Sequence, residues 1–190
     1  MMNQTQENEL KLLQNSVAMT VALISWGMLF ATMFLGYFLV RFNAPVWPPV
    51  EIEGLPTVLP LVSTVVMGLS SVFYYLMENK SQGSADKRKT YWILTLALGV
   101  AFLVLQWKLW GDLKATGILV SNGIVPSMVY GFTWLHAAHI VLGICGLLWV
   151  GFFLYFKPRS LTDVRIINVG KFWHFLGVIW LLMYLMLFVL

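Results

Sequence analysis

The chain has 190 residues, of which 59% are hydrophobic and only 11% charged, and its formal net charge is +4. Its mean hydropathy is +0.80. A domain this small leaves much of its surface outside the core and cannot hide that much apolar area from water, so a water-soluble globular fold is excluded and a bilayer is the natural solvent.

The first 16 residues, "MMNQTQENELKLLQNS", read as a polar tail. They lack the basic start and small-residue cleavage site of a signal peptide. Residues 17–190 read as one membrane domain of five apolar segments, at about 17–40, 58–77, 91–110, 128–156 and 172–190. A helix needs roughly 20 apolar residues to cross a bilayer. A lipid-exposed strand edge would leave backbone groups unpaired, so each segment is expected to be helical. The fold class expected is an all-α membrane protein with five transmembrane helices. Gly68, Ser71, Ala137, Ala138, Gly143 and Gly146 are the small residues expected to allow close helix approach.

The connectors differ in character. "RFNAPVWPPVEIEGLPTVLP" holds five prolines and reads as a stiff, extended crossing. "NKSQGSADKRKT" is basic and flexible, "GDLKATGILVSNGIVP" is mixed, and "KPRSLTDVRIINVGK" is basic with a turn expected at Pro158. Nine Lys and Arg residues fall on the side of the N-terminus: Lys11, Lys80, Lys87, Arg88, Lys89, Lys157, Arg159, Arg165 and Lys171. Three fall on the other: Arg41, Lys108 and Lys114. The positive-inside rule then places the N-terminus inside and the C-terminus outside. The same distribution explains the net charge without nucleic acid, which is not an expected partner.

All eight carboxylates lie in tails, connectors or helix ends. An ion-coupled carrier needs ionisable groups within the membrane, most often carboxylates, and broken helices in paired halves; neither pattern is visible. A metal site needs convergent Cys, His or carboxylate ligands. The single cysteine, Cys145, forms no metal motif and is expected to be a small packing residue.

Three histidines remain: His136 and His139 on the fourth segment, and His174 near the start of the fifth. Haem iron can be held by imidazoles from facing helices. His136 and His139 are three apart and share one helix face, so they cannot straddle a haem. His139 and His174 differ in depth by about 12 Å, at ~1.5 Å rise per residue. The expected role of all three is structural hydrogen bonding within the membrane, to a neighbouring helix or a backbone carbonyl. For His174 the expectation is a tie to a neighbouring helix, with Trp173 and Trp180 walling the ring from lipid. Arg41 and Trp47 are expected to anchor the end of the first helix at the interface, against a phospholipid phosphate.

Several stretches, in order along the chain, resemble subunit III of the haem–copper oxidases, the cytochrome c oxidase type. They are "YFLVRFNAPVWPP" from Tyr37, "STVVMGLSSV" from Ser63, "LVLQWKLW" from Leu103, "GFTWLH" from Gly131 and "FWHFLGVIWLLMYL" from Phe172. The familiar long form of that subunit has seven helices, and this chain is similar to a divergent five-helix form. Trp26 stands at or near the place of the family's membrane glutamate, Leu109 replaces a second glutamate, Thr133 a histidine, and Gly177 an aspartate. The resemblance implies a non-catalytic oxidase component without cofactors of its own, with haem and copper in partner subunits. It implies catalytic subunit I, other oxidase subunits and phospholipids as partners, in the inner (cytoplasmic) membrane. It also implies stabilisation of the catalytic subunit and support of proton uptake. An accessory subunit of nitric-oxide reductase and a haem-binding redox membrane protein are the alternative readings.

Overall fold

The computed structural model describes residues 4–49, 52, 54–79, 85–156 and 163–190. Five helices follow one another: α1 (Gln4–Asn43), α2 (Val58–Asn79), α3 (Ala85–Ala115), α4 (Ile124–Phe156) and α5 (Asp163–Tyr184). A π turn, Leu185–Val189, extends α5. All five are long and apolar enough to cross a membrane, so the chain is a multi-pass helical membrane protein. The expected turn at Pro158, and with it Lys80, Lys157 and Arg159 of the charge count, lies outside the described residues.

The helices overrun the apolar segments. α1 runs without a break from Gln4 through the polar stretch into the span, because nothing between Leu10 and Val17 is a proline or glycine that would stop it. α3 likewise begins within the basic connector at Ala85. α4 carries Pro126 in its first turn, where a missing N–H costs no helix bond.

Helices α2 to α5 form the tied core of the bundle, with α2 packed on α3 and α5, and α4 on α3 and α5. α1 leans on α4 and α5 alone among the helices it meets substantially. Only Phe30 and Tyr37 of its described side chains are fully buried.

Aromatic rings fill the interior, and small residues make room for them. The Trp173 ring lies between α4 and α3: a Cβ added at Gly143 would sit 2.9 Å from it, and one at Gly99 2.8 Å. Gly151 is tighter, since a Cβ there would meet the Trp92 ring well inside contact distance. Gly146 and Gly143 therefore do what the sequence suggested, whereas Gly68 has no neighbour within 4 Å of such a Cβ and faces away from the packing. Cys145 is exposed on the bundle surface rather than packed inside it.

Gly151→Ala is expected to push the Trp92 ring out and lose the hydrogen bond its indole makes. Overpacking of this kind costs about 1–3 kcal/mol. Thermal unfolding in mild detergent should show a lowered midpoint, while Gly68→Ala should leave the midpoint unchanged.

Candidate functional site

With no water available in the hydrocarbon, each buried donor needs a protein acceptor. Four tryptophans meet that demand by reaching across to another helix. The Trp92 Nε1–H donates to the Leu147 carbonyl at 2.8 Å, joining α3 to α4. The Trp110 Nε1–H donates to Thr133 Oγ1 at 3.1 Å, joining the same helices one end further on. The Trp173 Nε1–H donates to Ser70 Oγ at 3.1 Å, and Ser70 Oγ donates onward to the Thr95 carbonyl at 3.0 Å. That relay links α5, α2 and α3. The Trp180 Nε1–H donates to Thr64 Oγ1 at 3.1 Å, joining α5 to α2. Two tyrosines add to the set: Tyr74 donates to the Ile166 carbonyl at 2.7 Å, and Tyr130 to the Ile118 carbonyl at 3.0 Å.

The histidines behave differently from these donors. His139 Nδ1 lies 2.7 Å from the Leu135 carbonyl of its own helix. A carbonyl only accepts, so Nδ1 carries the proton in this contact. The bond is therefore to a backbone carbonyl, within α4. The His139 ring meets Trp26 edge-on at 5.5 Å and Phe30 at 5.5 Å, both from α1. Trp26, at or near the place where the resemblance expected a glutamate, is also packed on Phe172 at 4.8 Å.

His136 is fully buried. Its ring lies 5.4 Å from that of Trp180, 5.8 Å from Phe102 and 6.3 Å from Phe30. Neither ring nitrogen has a hydrogen-bond partner, and the same is true of both polar atoms of buried Gln106. Gln106 lies on α3 one turn from Phe102 and one turn from Trp110, so it faces α4 between the His136 and Thr133 contacts. Among the described residues, His136 and Gln106 each have two buried side-chain polar atoms without a hydrogen-bond partner.

His174 is half-buried and meets the edge of the Tyr74 ring at 5.8 Å. Among the described residues it makes no hydrogen bond. Tyr74, whose ring it meets, ties α2 to α5 through its own hydroxyl. Trp173 and Trp180 do not shield it from lipid: both are fully buried and point into the bundle. Two residues adjacent on a helix face directions about 100° apart, which separates Trp173 from His174. Among the described residues no group of three or more His, Cys, Asp or Glu could hold a metal ion.

At the far end of α1, the Arg41 guanidinium stands over the Trp47 ring at 5.2 Å. Tyr37 meets the same indole edge-on at 5.7 Å. The two residues expected to act together at the interface are thus in contact, and Arg41 Nη1 makes no hydrogen bond with protein.

A bundle of five spanning helices tied by aromatic donors defines a multi-pass membrane protein without a soluble domain among its described residues. A sequence model of the cytochrome c oxidase subunit III family matches residues 8–190, and the chain belongs to that family. It is 30% identical over 150 residues to cytochrome c oxidase subunit 3 of Yarrowia lipolytica, covering 75% of this chain and 53% of that one. Against the same subunit of Damaliscus lunatus it is 30% identical over 146 residues, covering 75% and 54%. The chain spans about half the length of the curated relatives it matches.

Sequence reasoning named the histidines as intramembrane hydrogen-bonding residues and did not name the indoles. The available signal was the placement of Ser and Thr at mid-span: Thr64, Ser70 and Thr133 each lie where an indole could find an oxygen. Ser70→Ala removes the acceptor of Trp173 and the donor to Thr95 together. It is expected to cost about 1–2 kcal/mol. His174→Gln should cost less than about 0.5 kcal/mol. Unfolding of the two variants in mild detergent compares them directly.

Proposed function

We propose that this chain serves as a subunit III-type component of a respiratory haem–copper oxidase. In this reading it holds no redox centre. It sits beside the catalytic subunit, stabilises it through turnover and supports proton uptake in aerobic electron transport. The haem and copper belong to subunit I and the other partner subunits. The membrane is the inner, cytoplasmic one, with the N-terminus inside. The family match across residues 8–190 is the observation that carries the reading. The geometry supports it: the interior is occupied by aromatic rings and their hydrogen bonds, an arrangement suited to a rigid scaffold.

His136, His139 and His174 are packing residues in this proposal, with hydrogen bonding supplied by His139 within its helix. Arg41 and Trp47 form an interfacial anchor for a phospholipid phosphate. A guanidinium held on an indole face keeps its donors in one plane and suits phosphate. Trp26 in place of a membrane acid means that any support of proton uptake does not pass through a carboxylate at that position.

Affinity capture of the chain in mild detergent is expected to bring down a large haem protein whose spectrum persists in membranes lacking the chain, while oxidase activity in those membranes decays faster during turnover. Capture of no haem protein, or loss of its spectrum from His136→Phe with the complex intact, rejects the proposal. Orientation is read by cysteine labelling in a Cys145→Ser background: Asn79→Cys should react from the cytoplasmic side and Ser121→Cys from the other.

A further inference from the structure

Packing alone does not account for His136 and Gln106. Both are fully buried, and both ring nitrogens of the one and both amide atoms of the other lack a hydrogen-bond partner. Among the described residues the other buried polar side chains, Ser63, Ser70, Thr95, Thr133 and His139, all bond to a carbonyl.

The two unpartnered residues stand together. Phe102, one turn before Gln106 on α3, meets the His136 ring at 5.8 Å. Trp110, one turn after it, donates to Thr133 at 3.1 Å. Thr133 and His136 are three apart and share one face of α4. Gln106 therefore lies about 6 Å along α3 from each of those two contacts, at ~1.5 Å rise per residue. It stands opposite the stretch of α4 that runs from Thr133 to His136.

An amide and an imidazole cannot fully satisfy each other. A neutral imidazole has one donor and one acceptor, on nitrogens that point apart, and a glutamine amide has two N–H donors and one carbonyl acceptor. A direct contact serves one nitrogen and one amide atom. The remaining nitrogen and amide atom then stay buried at their full desolvation cost. A water molecule both accepts and donates, so it can take an N–H from one residue and give an O–H to the other. Its second O–H has an acceptor on the same face, because Thr133 Oγ1 receives the Trp110 indole on one lone pair and has another. Such a water has three polar partners, the usual complement for a buried one. A metal ion needs more ligands than this pair supplies.

We propose that His136 and Gln106 bind one internal water between α3 and α4, with Thr133 as its third partner. The water is a structural ligand. It joins the two helices at a level between the bonds made by Trp92 and Trp110. The site requires only the bundle itself, so it stands apart from the oxidase reading.

The test uses the full chain carrying isotopically labelled histidine, in phosphatidylcholine nanodiscs. Water-edited solid-state NMR follows polarisation from water protons to the imidazole nitrogens, and His136→Phe assigns the His136 signals. A ring nitrogen of His136 is expected to receive polarisation from water. Gln106→Leu is expected to abolish that transfer and leave the His139 signals unchanged. Unfolding in mild detergent supplies the second measurement. His136→Phe or Gln106→Leu alone should raise the unfolding equilibrium constant about ten-fold, because each leaves the other residue buried without its partner. The two substitutions together should bring it back close to wild type, since no polar group is then left unserved. No transfer to His136, with the unfolding results as expected, overturns the water in favour of a direct His136–Gln106 contact. Transfer that survives in Gln106→Leu overturns Gln106 as a ligand. Losses that simply add in the double variant overturn the shared site.

Discussion

The structure depends on one constraint: a polar hydrogen buried in hydrocarbon must find its acceptor in the protein, because no water is there to supply one. In α2 to α5 the acceptors are two threonine hydroxyls, one serine hydroxyl and a carbonyl, and the donors are four indoles. An indole suits the task because its apolar bulk provides packing and its single N–H provides direction. Each bond is worth only about 0.6–2 kcal/mol in a membrane. Their spacing along the bundle matters more than their strength. Trp92 and Trp110 pin α3 to α4 near opposite ends, and Trp173 and Trp180 pin α5 to α2 two turns apart. Two bonds per helix pair fix both rotation and register, which one bond cannot do.

Close packing follows from the same residues. A ring as large as Trp173 can reach Ser70 only if the helices it passes offer no Cβ, and Gly143 and Gly99 provide that gap. The glycines are thus coupled to the hydrogen bonds, and neither set makes sense alone.

Much of this could be read from the sequence. Hydropathy and length located all five helices, and the motifs from Tyr37 to Leu185 located the family. Helix ends were less legible, because polar residues such as those of "NELKLLQNS" continue a helix as readily as they end it. The polar partners were the least legible. An imidazole looks like the obvious donor in an apolar segment, yet whether it bonds depends on what faces it across the interface. His136 faces Phe30, Phe102 and Trp180, and His174 faces a tyrosine ring edge whose hydroxyl is already engaged with Ile166. Rotation about the helix axis decides such matters, and hydropathy does not report rotation. Arg41 and Trp47 were easier, because a short connector brings the second residue back over the end of the helix that carries the first.

The helix that stands outside this scheme is α1. Among the described residues no indole bond ties it to the bundle. Among the described residues its links include ring contacts of Trp26 and Phe30 with His136, His139 and Phe172, the stacking of Phe34 on Phe132 at 5.3 Å, and a hydrogen bond near its start, from Asn168 to the Asn15 carbonyl at 3.3 Å. Its outward face is a run of aliphatic side chains, Val17, Val21, Ile24, Met28, Leu35 and Leu39 among them. Apolar contact between helices gives little net attraction in a membrane, since lipid tails are as apolar as leucine. The aromatic sockets therefore set where α1 sits, and the surrounding bilayer contributes no preference of its own. At or near the place where the family resemblance calls for an acid, α1 has Trp26, a ring that packs into one of those sockets. A glutamate there would lose the contacts with His139 and Phe172 and require a polar partner in return. In this chain the position serves the seating of a weakly tied helix.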